Sequence, residues 1–317
     1  MEQGLTYLSA LGRLDPEFTT PLQISPCLTD QTENTDGEYA MHADAPAAED
    51  LGNVVALEHL NLAAPDQEMA TVFYLLGMGF TRDPQFMVGP DNIWINIGNQ
   101  QIHAPRRDAQ VLPGVVGIVV RDLDALARRL ESVAPRLSGT KFSFARAGGC
   151  IEVSSPWGTK FRCHAPGEYG RMALGLPYVE LSVRPGAAAG IARFYTQVLG
   201  APATTDANGG KPVARIAVGN VQQLVFRETA QPIPPYDGYH VAIYVNRVSG
   251  AYAFLGQRGL IRENLLNHQF RFNDIVDPDT GEKLAELEHE VRSMRHPIYM
   301  RALVNRDPEQ TLESLLR

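Results

Sequence analysis

The sequence predicts an α+β fold assembled from four β-α-β-β-β units, and three observations lead there. The segment RFYTQVLG (Arg193–Gly200) has a looser copy, VFYLLGMG (Val72–Gly79), with an aromatic pair, aliphatic residues and a glycine at the same spacing. Internal repetition of this kind has to be settled before any fold is assigned. Four short alternating or β-rich runs recur along the chain: VVALEHLNL, VVGIVV, PYVELSV and YHVAIYV. Each is followed by a segment of helical period that closes near a glycine or another turn signal, and then by further strand-like runs.

The elements follow in order. Residues 1–51, including SPCLTDQTENTDGEYAMHADAPAAEDL, are rich in small polar and acidic residues without sustained periodicity, so they read as an irregular N-terminal extension. His42 within it is assigned no chemistry. Unit one runs from VVALEHLNL through the helix QEMATVFYLLG to the strands NIWINIG and QQIHAP. Unit two pairs VVGIVV with the helix DLDALARRLESV, then FARAGGCIEVSS and TKFRCHAP, closing through the turn SPWG. Unit three contains PYVELSV, AAAGIARFYTQVLG, ARIAVG and VQQLVF. Unit four contains YHVAIYV, VSGAYAFLGQRG, QFRFNDIVD and KLAELEHEV, with the turn DPDTG between the last two. The aromatic residues of the repeated helices are expected in the core. Two domains result, 52–168 and 173–293, followed by a tail, 294–317.

Bulk properties narrow the function. The chain has 317 residues, 44% hydrophobic and 20% charged, which suits two globular domains. A formal net charge of -8 argues against a nucleic-acid surface. The longest apolar runs, such as Val115–Val120, are too short to cross a bilayer. No signal peptide is evident, and three cysteines (Cys27, Cys150, Cys163) make no disulfide framework. A cytoplasmic protein, monomeric or homodimeric, acting on a small molecule is the expectation.

Four ordered units of this kind, with the FYTQVLG helix, the strand openings and the closing segment DPDTGEKLAELE, resemble the vicinal oxygen chelate superfamily over about Val54 to Ser293. That superfamily includes glyoxalase I, extradiol dioxygenases and bleomycin-resistance proteins. The resemblance implies glyoxalase-like domains whose paired units form curved mixed β-sheet cups, each able to hold a divalent metal. It further implies ligands on the first and last strands of the two units sharing a cup. Superposing the units puts His59, Val115, Tyr178 and His240 at the first-strand position. His103, Arg162, Val225 and Glu286 fall at the last-strand position, with Glu288 the alternative to Glu286. Competent ligands thus fall in units one and four, so unit one is expected to share a cup with unit four. That cup would hold one Fe, Ni, Zn or Mn ion on His59, His103, His240 and Glu286. Units two and three would form a second cup without a good ligand set.

The activity this implies is glyoxalase-I-like lyase or isomerase chemistry on a vicinal-oxygen (carbonyl or hydroxycarbonyl) substrate. The metal would act as a Lewis acid on an enediolate while Glu286 moves a proton. One alternative is an Fe(II) ring-cleaving dioxygenase with its site in units three and four, where Tyr178 and Glu180 stand in imperfectly for a first histidine. Another is a non-catalytic, ligand-sequestering protein. His164 is read as a surface or core residue. The tail cations Arg292, Arg295, His296 and Arg301 suit either an anion site or a docking segment. Metal affinity is expected to weaken as pH falls through the imidazole range, since a ligating histidine must be neutral.

Overall fold

The structure, a computed structural model, describes residues 50–86, 89–207 and 210–310. The extension 1–51, with Cys27 and His42, lies outside them except for its last two residues, as does the end of the tail. Unit one comprises β1 (Val54–Asn61), α1 (Gln67–Ala70), β2 (Thr81–Arg82), β3 (Asn92–Ile97) and β4 (Gln100–Pro105). Unit two comprises β5 (Gly114–Val119), α2 (Leu123–Val133), β6 (Ser143–Ala147), β7 (Cys150–Ser154) and β8 (Lys160–His164). Unit three comprises β9 (Gly175–Val183), α3 (Ala188–Phe194), β10 (Ala203–Asp206), β11 (Val213–Ala217) and β12 (Gln223–Glu228). Unit four comprises β13 (His240–Val245), α4 (Ser249–Gln257), β14 (Ile261–Leu266), β15 (Gln269–Val276) and β16 (Lys283–Ser293).

The strand order settles which units share a cup. One eight-stranded sheet runs β14-β15-β16-β13-β1-β4-β3-β2, and the other runs β10-β11-β12-β9-β5-β8-β7-β6. Unit one therefore pairs with unit four, and unit two with unit three. At each centre two first strands meet antiparallel, β1 against β13 and β5 against β9. Each first strand also pairs in parallel with the last strand of its own unit.

The repeated helix is repeated in its closing turns and not in its cap, since no N-cap side chain holds α3 as Asp66 holds α1. The carboxylate of Asp66 caps α1 by accepting from the Met69 N–H, and that of Asp122 caps α2 by accepting from Asp124 and Ala125. Both α1 and α3 widen into a π-helical turn, Thr71–Gly77 and Tyr195–Leu199. The Phe80 N–H donates to the Tyr74 carbonyl and the Ala201 N–H to the Tyr195 carbonyl, both at 3.0 Å. Gly79 and Gly200 end these turns at φ +76° and +63°, where a Cβ is penalised.

The aromatic pairs fill the core, as expected. Phe73 and Tyr74 pack on Phe161 of β8. Tyr195 packs on Phe226 of β12, and its hydroxyl shares a 2.6 Å hydrogen bond with His289 of β16. The α3 helix thus joins the two sheets through one buried core.

The described part of the tail docks on unit one. Asn305 bonds the backbone of Gly98, and the Thr81 hydroxyl accepts from the Arg306 N–H. Arg301 donates to fully buried Asp83 at 2.7 Å and lies over the Phe86 ring. Burial alone would raise the Asp83 carboxyl, but Arg301 and the N–H groups of Gln85 and Phe86 hold it below the usual carboxylate range. Replacing Arg301 with Ala should cost roughly 1–3 kcal/mol in urea melts at pH 7, the penalty of a buried group losing a partner. Because the folded pKa is depressed, this contribution is full above about pH 4 and fades as pH falls further. The two melts should therefore converge in acid.

Candidate metal centre

Three imidazoles converge where β1, β4 and β13 lie side by side. Asn61 pairs with His240 across β1–β13, His59 pairs with Ala242, and His103 pairs with Asn61 across β4–β1. The His59 ring centroid lies 5.6 Å from that of His240 and 6.0 Å from that of His103. One ligand atom from each of the three lies within 4.8 Å of the others, the one such group of three or more donors among the described residues. Trp94 stacks on His103 at 4.0 Å and meets His59 edge-on, walling one side of the site.

Each imidazole has an outer oxygen near it. The Glu58 carboxylate sits 2.6 Å from His59 Nδ1, Asn92 Oδ1 2.5 Å from His103 Nε2, and Glu288 Oε1 3.4 Å from His240 Nδ1. His59 Nε2 and His240 Nε2 are buried without a hydrogen-bond partner. A buried polar atom without a partner is costly, and two of them facing a third imidazole is the arrangement that a cation relieves. The donor set therefore fits a divalent transition metal.

The carboxylate beside this group is not the expected one. Glu286 is half-exposed, held by Lys283 at 2.8 Å, and joins Tyr236 and Tyr239 in lining a groove. The register gives the reason. His103 pairs with the residue two beyond His59, and the residue two beyond His240, Ala242, pairs with Glu290. Glu290 Oε2 lies 3.7 Å from His240 Nε2, and the residue is buried. Fifty residues separate His240 from Glu290 against forty-four between His59 and His103. The bulged β14–β15 and β15–β16 pairings absorb residues that strand patterning does not reveal. Glu288, the expected alternative, instead bonds Arg271 at 2.5 Å.

Electrostatics set the protonation states. Burial, with the nearby cations Arg271 and Arg292 adding to it, pushes His103 down to about 3. Burial likewise takes His240 far below its ordinary value. Both rings are thus neutral throughout the imidazole range, and the expected weakening of metal affinity across that range does not come from them. Burial would raise Glu290, but Arg292 and Arg271, both paired with it, outweigh this and keep the carboxylate ionised. Arg292 is itself buried, donating to Glu58 at 2.6 Å and to Glu290. It and Arg301 are therefore committed to acids of the same chain rather than open to an external anion. Sequence patterning missed Glu58, Asn92 and Glu290, of which only Glu290 carried a signal, in the acidic run of β16.

The other sheet holds the second cup with the substitutions expected. Val115, Arg162, Tyr178 and Val225 occupy positions matching the four above, because Gly117 pairs with both Tyr178 and Arg162, and Glu180 with both Val115 and Val225. Arg162 pairs with Glu152 at 2.8 Å, and Arg227 takes both oxygens of Glu180. His164 is buried, bonded to Glu168 at 2.7 Å and to the Tyr178 hydroxyl at 3.1 Å. Gly117 is required here, since a Cβ would fall 2.3 Å from the Tyr178 ring. Glu180 and Tyr178 lie in a different sheet from His240, so the dioxygenase site expected from units three and four is not assembled.

Comparisons with known proteins come from structure. No protein-family model matches the chain, and no curated protein matches it. Glyoxalase I from Zea mays is similar over 75% of this chain and 92% of its own, with 16% identity and a TM-score of 0.49. A catechol 2,3-dioxygenase is similar over 83% of this chain and 98% of its own, at 17% identity and a TM-score of 0.31. The 2,3-dioxygenase LapB from Pseudomonas sp. KL28 covers 83% and 97%, at 14% identity and a TM-score of 0.29. No helix among the described residues is long and apolar enough to cross a membrane.

Proposed function

We propose that this chain is a divalent-metal-dependent enzyme of the vicinal oxygen chelate type, with His59, His103, His240 and Glu290 as ligands. The observation that carries the reading is the pair of buried, unpartnered Nε2 atoms of His59 and His240 beside a third imidazole. When bound, the ion would supply Lewis acidity toward vicinal oxygens of a small carbonyl or hydroxycarbonyl compound. The chain's own groups do the rest. Trp94 and Phe86, in contact at 5.1 Å between centroids, cover the His103 side, where Trp94 stacks on His103. Glu290, kept ionised between Arg271 and Arg292, is suited to hold a cation and to accept a proton from a substrate carbon. That pairing of Lewis acid and carboxylate supports the reading of lyase or isomerase chemistry.

One equivalent of metal per chain is expected, because the second cup offers two valines and an arginine at the matching positions. Elemental analysis after dialysis against Zn(II), Mn(II) or Ni(II) measures this, and two tightly held equivalents would contradict it. Activity is tested by following 2-oxoaldehydes mixed with thiols, and catechols under oxygen, with the metal-loaded protein. Turnover of catechols alone would replace the isomerase reading with ring cleavage.

A further inference from the structure

The outer contact to His59 is built by an irregularity of the strand. In a regular β-strand, neighbouring residues face opposite sides, so Glu58 and His59 should point apart. Across β1–β13, however, Leu57 pairs with Ile243 and His59 with Ala242, leaving Glu58 as the extra residue of a β-bulge. The bulge lets the Glu58 carboxylate reach Nδ1 of the adjacent imidazole at 2.6 Å. The carboxylate is fixed in turn, because buried Arg292 donates to the same oxygen, Oε2, at 2.6 Å. Arg292 is held by Glu290 through two nitrogens. With Nδ1 engaged, the nitrogen left for a cation is Nε2, which has no partner.

We infer that Glu58 is a positioning residue, which locks His59 in the tautomer protonated at Nδ1 and thereby presents the Nε2 lone pair to the metal. Outer-sphere carboxylates of this sort fix ring orientation and raise ligand basicity. The bulge is thus a functional feature of the strand. The same chain of contacts, Glu58–Arg292–Glu290, links the first ligand to the fourth, so displacing one carboxylate disturbs the setting of the other. This inference rests on the metal reading above, and its test is chosen to fail separately from it.

The test combines long-range proton–nitrogen correlation spectra of histidine-labelled, metal-free protein with Zn(II) titration by competition against a chromophoric chelator. In the wild type, His59 should be protonated at Nδ1 and not at Nε2. Glu58→Met, close in volume but without an acceptor, should populate the Nε2-protonated form and bind Zn(II) about 10–100-fold more weakly. Glu58→Gln retains a carbonyl acceptor and should restore the wild-type tautomer with most of the affinity. Wild-type His59 found protonated at Nε2 would overturn the inference whatever the variants do, including a failure of Glu58→Met to fold. So would a folded Glu58→Met with an unchanged tautomer or Zn(II) affinity. A wild type with the expected tautomer that binds no Zn(II) would instead sink the metal reading and leave the orienting contact standing.

Discussion

Taking the metal-free protein from pH 7 to pH 5 should remove about 6 kcal/mol of folding stability through three histidines. His103 is pushed down to about 3 and His240 lower still, both chiefly by burial. His289, fully buried against Phe272 and Tyr195, is pushed down to about 4 by burial, partly offset by the Leu287 carbonyl. In the unfolded chain each titrates near 6.5. The folded values lie below the unfolded one, so the unfolded state takes up protons first as pH falls. The stability they contribute is whole above pH 6.5 and declines by about 1.4 kcal/mol per unit per group below it. At pH 5 that amounts to about 2 kcal/mol for each histidine. The sum rivals the entire stability of an ordinary domain, roughly 5–15 kcal/mol, so cooperative unfolding near pH 5 is expected. Urea melts in chelator across this range measure it. A loss below about 1 kcal/mol would show that the three rings are not held neutral in the fold.

The second large effect separates two carboxylates four residues apart. Glu290→Gln should weaken metal binding by about 100-fold or more, since it removes a charged ligand from a buried site. Turnover per bound metal should also fall, by about 100–10,000-fold, because an amide cannot take the proton. Glu286→Gln breaks only a half-exposed contact to Lys283 and should change both quantities less than about threefold. Metal titrations and single-turnover rates on the two variants measure the contrast. Equal losses, or a larger loss at Glu286, would show that β16 presents a different register to the metal.

The fold was legible in the sequence because it rests on periodicity. The FY helix and the strand openings carried the resemblance to the vicinal oxygen chelate superfamily. The histidines of units one and four then implied the crossed pairing, and the strand order bears it out. Val115, Arg162, Tyr178 and Val225 fell where superposition of the units put them because Val115 to Arg162 and Tyr178 to Val225 span the same forty-seven residues. Glu290 did not, since its position depends on how bulged hairpins absorb extra residues. Glu58 was invisible for a related reason. A strict two-residue alternation assigns it to the face opposite His59, and only the bulge overturns that. Asn92 reaches His103 from the neighbouring strand β3, a contact across a hairpin that spacing along one strand does not encode.

The crossing of the sheets also fixes a timetable for synthesis. Strand β1 leaves the ribosome with its antiparallel partner β13 still 179 residues away, counted from Asn61 to His240. At about 5–20 residues per second this delay is on the order of 10–35 s, during which the β13-facing edge of β1 has no native partner. Units two and three are contiguous, so their sheet can close while unit four is still being made. Growth therefore proceeds from the middle of the chain outward, and the first unit must be kept from mispairing until the last arrives. The cup that gathers the histidines is the last to close.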